Sequence, residues 1–331
     1  MKHKGISRIL IGICLVLMVT LVLSLMSACQ PSKQYKIGIT QIVTHPALDM
    51  CRKGFIDQMA KEGFVEGKNV EYTMRNAEAD MSAAASIAGS FVSEKVDLIF
   101  SIATPTTQAC VNAVKGTDIP IVFAALTDPV AAGVVKSWER PGGQVTGASD
   151  WADVGLQVKL GMDIYPAKRL GVVYNAGEVN SVVQVEELKK VATSLGIKDV
   201  VEATAATTTD VYAAAMSLVG RVDAIWEPSD NTVAAAIQSV VKVCEENKIP
   251  LFASDISMAK GGAISGMGLD YYVNGTEAGK LAARVLRGED PANIPVSKTP
   301  MTIIYLDPAA AQRMGVTIPP EVLATATEVG Q

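Results

Sequence analysis

The stretch KVDLIFSIATPTTQACVNAVKGTDIPIVFAALTD, Lys95 to Asp128, has a second copy of its plan in RVDAIWEPSDNTVAAAIQSVVKVCEENKIPLFASD, Arg221 to Asp255. Each copy opens on a basic residue, Val and Asp, then runs into an apolar strand. Each breaks at a Pro among Thr, Ser, Asp and Asn, continues at helical period, and closes on Ile-Pro, a short strand and an Asp. Asp97 matches Asp223 at an offset of 126, and Pro120 matches Pro250 at 130. Upstream, Lys36-Ile-Gly-Ile matches Arg169-Leu-Gly-Val and Gly63 matches Gly196, both at 133, while Asp80 matches Asp210 at 130. Landmarks in one order at a slowly drifting offset predict two α/β lobes with the same strand and helix sequence.

A chain of 331 residues with 49% apolar content supports two such cores. At the N-terminus Lys2, His3, Lys4 and Arg8 precede an apolar run, Ile9 to Leu25, and Met26-Ser27-Ala28 then places small residues before Cys29. This pattern predicts a signal peptide over 1–28 with lipidation of Cys29, and a polar tether over 29–34. Acyl chains on Cys29 supply the several lipid chains that stable anchoring needs. The rival reading is an uncleaved membrane-spanning anchor. Either way the body is expected outside the cytoplasmic membrane. Taking Lys2, Lys4 and Arg8 from 29 basic residues leaves 26 against 34 acidic ones, a balance of −8. Nucleic-acid binding wants a basic footprint, so it is not expected. Cys51, Cys110 and Cys244 fall far apart in helix-period segments and read as small buried hydrophobes rather than a disulfide framework.

From Tyr35 the chain alternates strands and helices of ordinary length, which predicts parallel sheets with helices on both faces: an α/β protein of two similar doubly wound lobes. The Gly-rich PGGQVTGASD marks a first crossing between lobes and Gly268 a second. The helix Tyr271 to Leu286 returns to lobe one, and the strand Met301 to Leu306 to lobe two. The expected division is 35–148 with 268–290 for lobe one and 149–267 with 291–331 for lobe two.

Open α/β sheets bind ligands in the loops beyond the carboxyl ends of their strands. The candidates there are Gln41 and His45 after the first strand, and Thr104 and Thr106 in TPTT. Thr127 and Asp128 follow the next strand, and Asn175 and Ser181 follow the first strand of lobe two. Asp230 and Asn231 lie in PSDN, and Asp255 closes the second copy. Taken singly, Thr104 before Pro105 and Asp128 before Pro129 have the form of helix caps, and Asp230 can cap as well. Taken together, matching loops on facing lobes line one cleft. Helix N-termini near Thr104 and Thr106 suit a carboxylate. Asp128, Asp230 and Asp255 suit an ammonium, with Asp230 the expected contact. The ligand class is then a zwitterion, an amino acid above all. Pro46, Trp151, Tyr174 and Trp226 are candidate flat walls for a side chain, with core packing the alternative for the two Trp.

An enzyme is not expected. The only histidine after residue 28 is His45, which excludes a two-His metal site, and neither a GxSxG elbow nor a GxxxxGK[ST] loop is present. No metal and no cofactor is expected.

The stretches IGITQIVTHPALDMCRKGF, VDLIFSIATPTTQA, IPIVFAALTDPVAAGVV, GGQVTGASD, GVVYNAGEVNS and VDAIWEPSDNTVAAA resemble the tryptophan/tyrosine-type family of ABC-transporter substrate-binding lipoproteins. The resemblance covers nearly all of the chain after residue 28. It implies a type I periplasmic-binding fold with a three-segment hinge, an ABC permease and ATPase subunits as partners, and an aromatic amino acid as ligand. Relatives often carry Pro where this chain has Val179, which leaves the exact ligand open. The alternative function is an extracytoplasmic ligand sensor or adhesin that uses the same fold without transport.

Overall fold

The computed structural model describes residues 33–330, so the expectations for the signal segment and for Cys29 lie outside the described residues. The strands are β1 (Tyr35–Gln41), β2 (Val70–Asn76), β3 (Leu98–Ile102), β4 (Ile121–Leu126), β5 (Val145–Ser149), β6 (Arg169–Tyr174) and β7 (Asp199–Thr204). They continue as β8 (Ala224–Glu227), β9 (Leu251–Ala253), β10 (Ser265–Gly268), β11 (Ser297–Lys298), β12 (Ile303–Leu306) and β13 (Glu328–Val329). The helices are α1 (Pro46–Lys61), α2 (Met81–Ser93), α3 (Thr104–Ala113), α4 (Val154–Ile164), α5 (Val179–Ala192) and α6 (Val211–Met216). After them come α7 (Asn231–Ala235), α8 (Ile237–Asn247), α9 (Ile256–Lys260), α10 (Tyr271–Leu286), α11 (Pro308–Arg313) and α12 (Pro320–Leu323).

One sheet has the order β11-β5-β4-β3-β1-β2 and the other β13-β12-β10-β9-β8-β6-β7. The order 2-1-3-4-5 is therefore repeated as 7-6-8-9-10, and the sequence echo has a physical cause. Asp97 accepts from the Lys36 N–H at 2.8 Å, and Asp223 from those of Lys168 and Arg169 at 2.9 and 2.8 Å. Each carboxylate ties the start of one strand to its neighbour. The carbonyls of Pro120 and Pro250 likewise receive Ile99 and Ile225 N–H at 2.9 and 2.8 Å. Gly63 and Gly196 both stand in the left-handed region after a helix, at φ 91° and 79°, where a side chain is strained.

Central strands such as Leu98–Ile102 and Ile121–Leu126 are buried on both faces, as continuous apolar runs in parallel sheets require. Trp226 is 1% exposed inside the lobe-two core with Phe252, Val240 and Leu218. Cys51, Cys110 and Cys244 are buried free thiols.

Two expectations need correction. The second sheet is not wholly parallel, because β12 pairs antiparallel with β10. The third crossing also falls later than residue 291. Ser297–Lys298 pair parallel with Ala148–Ser149, and the Thr146 hydroxyl donates to the Ile294 carbonyl, so the chain stays with the first sheet through Lys298. A two-residue strand carries no period for a sequence pattern to detect. The chain thus passes between sheets three times, after Ser149, Gly268 and Lys298.

The helix α10 packs against α1 with glycines at the contact. A Cβ on Gly275 would lie 1.9 Å from the Cys51 carbonyl oxygen, and one on Gly54 2.1 Å from that of Tyr272. These backbones touch directly, which fixes the start of α10 against the start of α1.

Candidate functional site

A small pocket of about 20 Å³ is lined by His45, Thr127 and Asp150 on the first-sheet side and by Asn180, Ser229, Asp230, Asn231 and Asp255 on the other. Tyr271, Leu48, Ala125 and Ala234 complete it. His45 follows β1, Thr127 β4, Asp150 β5, Asn180 β6, Ser229 to Asn231 β8, Asp255 β9 and Tyr271 β10. Every polar member stands beyond the carboxyl end of a strand, where doubly wound sheets present their loops. Among the described residues lining it there is no Lys or Arg.

On the lobe-two side the polar groups hold one another. Glu178 accepts from the backbone N–H groups of Asn231 and Thr232, both at 3.2 Å, from the Thr232 hydroxyl at 2.9 Å and from the Asn180 amide at 3.0 Å. The Asn231 side-chain amide donates to the same carboxylate. Asp230 caps α7 through the Val233 N–H at 2.8 Å and accepts from the Asn175 N–H at 2.7 Å and the Ser181 hydroxyl at 2.6 Å. Burial and the neighbouring Glu178 carboxylate push the Asp230 carboxyl up to about 7, against the pull of those three donors.

The lobe-one side is less complete. Tyr271 donates its hydroxyl to Asp150 Oδ2 at 3.0 Å, while Asp150 Oδ1 is buried with no partner. Burial pushes the Asp150 carboxyl up to about 6, against the hydrogen bond from Tyr271. Both ring nitrogens of His45 and Asn180 Oδ1 are also buried without partners. Burial lowers the His45 pKa, against the nearby carboxylates of Asp255, Asp49 and Glu178, which favours the neutral ring. Buried polar atoms left unpaired cost about 1–3 kcal/mol each, and their convergence on one pocket is the signature of a ligand that pairs them.

Of the residues singled out in the sequence, His45, Thr127, Asp230, Asn231 and Asp255 come together here. Asn175 and Ser181 stand behind Asp230 and orient it. Gln41 turns instead to Asp49 and Arg52, in a separate surface pocket. Thr106 spends its hydroxyl on the carbonyls of Ile102 and Ala103, a local helix-terminal bond. Thr104 keeps a buried, unpartnered hydroxyl at the start of α3 but is not among the pocket-lining residues. Asp128 accepts from the N–H groups of Val130 and Ala131 and serves as a turn cap. Of the expected flat walls, Trp226 is core and Tyr174 donates to Glu202 away from the pocket. Trp151 is half-buried outside the lining, and Pro46 lines an adjacent groove.

Asp150 and Tyr271 were not among the expected contacts. The available signal was position: Asp150 follows a strand end as the chosen acids do, and Tyr271 follows Asp270, the cap of α10. Glu178, Asn180 and Ser229 lie in loops already singled out.

Two lobes joined by three crossings, with convergent unpaired polar atoms between their strand ends, define a two-lobed small-molecule binding protein. Residues 36–330 match the family model described as ABC transporter substrate binding protein, and the chain belongs to that family. It is 44% identical over 276 residues, 83% of this chain and 79% of the relative, to a tyrosine-binding protein of Clostridioides difficile (strain R20291). A Streptococcus pneumoniae ABC domain solved in complex with L-Trp is 35% identical with a TM-score of 0.86, over 90% of this chain and 100% of that one. A ligand-free, open substrate binding protein with adhesive properties from Clostridium difficile is 40% identical with a TM-score of 0.67, over 90% and 99%. Substrate-binding proteins of ABC importers, the family matched, work outside the cytoplasm.

Proposed function

We propose that this chain captures an aromatic amino acid, tyrosine or tryptophan, for an ABC importer, and that Asp150 receives the ligand ammonium. The observation that carries the reading is the buried, unpartnered Oδ1 of Asp150, beside an Oδ2 held by Tyr271. An ammonium donates three hydrogen bonds and accepts none. Asp150 Oδ1, Asn180 Oδ1 and Oδ2 of the facing Asp255, whose three donors all go to Oδ1, offer it acceptors, whereas Asp230, the contact expected from sequence, has donors on both oxygens. The His45 ring and the unpartnered Thr104 hydroxyl are the neutral groups left for the carboxylate.

The polar pocket has room for about one water, so the ring needs other space. A groove of about 530 Å³ beside Tyr271 is lined by Pro46, Met50, Ile256, Leu269 and Ile303, with Lys260, Asp270 and Glu328 also in its lining. Pro46 and Ile256 directly follow the pocket residues His45 and Asp255, and Tyr271 lines both spaces, so the groove adjoins the pocket. Burying an aromatic side chain there contributes about 1.5–3 kcal/mol. The relatives named for tyrosine and for L-Trp support the same class. At similar identity the chain superposes far better on the L-Trp complex than on the open structure, which supports a closed lobe arrangement here.

A thermal-shift panel of the twenty amino acids tests the ligand. Stabilisation by tryptophan, tyrosine or phenylalanine is expected, and a shift only with branched-chain or acidic ligands would sink the aromatic assignment. Membrane attachment through an acylated Cys29 is part of the same reading. Cys29→Ser should release the protein or leave an unprocessed precursor, and retention like the wild type would argue against the anchor. Adhesion is a second reading, favoured by the adhesive properties named for the open relative. It predicts surface binding that survives loss of the amino-acid site.

A further inference from the structure

Two buried amides occupy matching places on either side of the crossings. The helix α4, which enters lobe two after the first crossing, is capped by Asp153 through the Leu156 N–H at 3.0 Å. The helix α10, which enters lobe one after the second, is capped by Asp270 through the Tyr272 N–H at 2.8 Å. Four residues past each cap stands a buried amide: Gln157, 2% exposed, and Asn274, 0% exposed. Helical side chains lean towards the N-terminal turn, so this position faces the crossing that the helix has just left.

Asn274 uses its whole bonding capacity. Its Nδ2 donates to the Ser149 carbonyl at 3.0 Å, just before the first crossing, and to the Thr299 hydroxyl at 2.8 Å, the first residue of the third. Its Oδ1 accepts from the Ala125 N–H at 2.9 Å and from Cys51 Sγ at 3.6 Å. Ala125 stands at φ 52° where the β4–β5 register slips, and it lines the pocket. A bulge leaves a backbone group without a sheet partner, and Asn274 supplies one. Gln157 does the donor half of this work in lobe two, its Oε1 being buried without a partner. Its Nε2 donates to the Ser254 carbonyl at 2.8 Å, next to the pocket residue Asp255, and to the Met267 carbonyl at 2.9 Å, just before the second crossing.

We infer that Asn274 and Gln157 are the paired pins of the hinge. Each clamps the crossings to one lobe together with one wall of the pocket. Rotation is thereby confined to residues 150–153, 269–270 and 300–302, and the walls move with their lobes as rigid pieces. The inference rests on the reading that the lobes close around a ligand. Between them the two amides reach the strand ends at all three crossings, and apolar side chains there would remove donors from the carbonyls of Ser149, Ser254 and Met267.

Thr299→Val and Gln157→Leu test this, with Thr299→Ser as the conservative control, because none of these residues lines the pocket. L-tyrosine affinity is measured by calorimetry, compaction on adding L-tyrosine by small-angle scattering, and amide exchange at Ala125 in the free protein by NMR. Thr299→Val is expected to lose about tenfold in affinity, to compact less, and to exchange at Ala125 at least tenfold faster, with Thr299→Ser close to wild type. Gln157→Leu is expected to lose affinity and compaction similarly. A lowered melting temperature with affinity, compaction and exchange unchanged overturns the inference, as does equal loss in Thr299→Ser. The exchange measurement needs no ligand. Failure of the wild type to bind L-tyrosine therefore strikes the ligand assignment alone, and slow exchange at Ala125 in Thr299→Val strikes the pins alone.

Discussion

The loops after β4 and β9 end on the same residue in the same local fold, and they are used differently. Asp128 and Asp255 each accept from the N–H groups two and three residues on, Val130 and Ala131 in one lobe, Ser257 and Met258 in the other. Only Asp255 lines the pocket. The loops after β3 and β8 diverge further. Lobe two places Asp230 at the cap of α7, inside a network with Glu178, Asn180 and Asn231. Lobe one begins α3 behind Ala103, a non-glycine residue at φ 84°, and leaves the Thr104 hydroxyl unpaired. Strain of that kind costs about 1–3 kcal/mol and persists only where the surroundings hold it. The lesson is that duplication preserved the bonds that build a strand–loop–helix unit, while the two copies of the binding wall separated. Lobe two engages most of its pocket carboxylates before a ligand arrives and leaves Asn180 Oδ1 open, while the lobe-one side keeps the His45 nitrogens and Asp150 Oδ1 open.

That contrast is broken or sharpened by substituting matched positions. The largest effect should come from Asp150→Asn. An ammonium buried without its carboxylate costs about 3–5 kcal/mol, so L-tyrosine affinity should fall by roughly two to four orders of magnitude. The melting temperature of the free protein should stay near wild type. A small loss by calorimetry would move the ammonium elsewhere in the pocket.

Glu178→Ala should invert the pattern. It strands five donors inside lobe two, and a loss of about 3 kcal/mol in unfolding free energy is expected by urea titration. If stability hardly changes while binding collapses, the lobe-two network is a ligand contact and not a preformed wall.

A glycine pair separates the lobes by packing. A Cβ at Gly54 meets the Tyr272 carbonyl at 2.1 Å, a backbone atom, whereas one at Gly161 meets the Phe252 ring at 2.7 Å, a side chain that can shift. Gly54→Ala should cost about 2–3 kcal/mol and Gly161→Ala about 1 kcal/mol. Equal losses would mean that the α1–α10 contact yields as readily as a side chain.

The smallest effect is on pH. Burial raises the Asp150 carboxyl to about 6 in the folded protein, from about 3.9 in an unfolded chain. A raised carboxyl stabilises the free form at low pH, and that contribution is lost as pH rises through about 6. A ligand ammonium needs the ionised form, so affinity should run the opposite way. It should fall by up to about tenfold per unit below pH 6 and level off above pH 7. Asp150→Asn should flatten the profile, and a flat wild-type profile would argue against ammonium contact at Asp150.

Much of this protein was legible in the chain because much of it is local. The offsets between Asp97 and Asp223 and between Pro120 and Pro250 announced two lobes, since each pair repeats one backbone bond within one unit. The residues that close strands were legible as candidates for the same reason: a strand end, a polar loop and a helix start are neighbours in sequence. What the sequence could not decide is which candidates meet. Gln41 and Asp128 satisfy the same local rules as His45 and Asp255, yet only the latter two reach the pocket. The Tyr271–Asp150 bond spans 121 positions and the Asn274–Ala125 bond 149. Trp226 and Tyr174 have the composition of cleft walls, but the pleat turns one into the core and the other towards Glu202. Caps and strand ends are set by near neighbours along the chain. A pocket between lobes is set by how two sheets and three crossings are brought together, and that arrangement exists only in the folded whole.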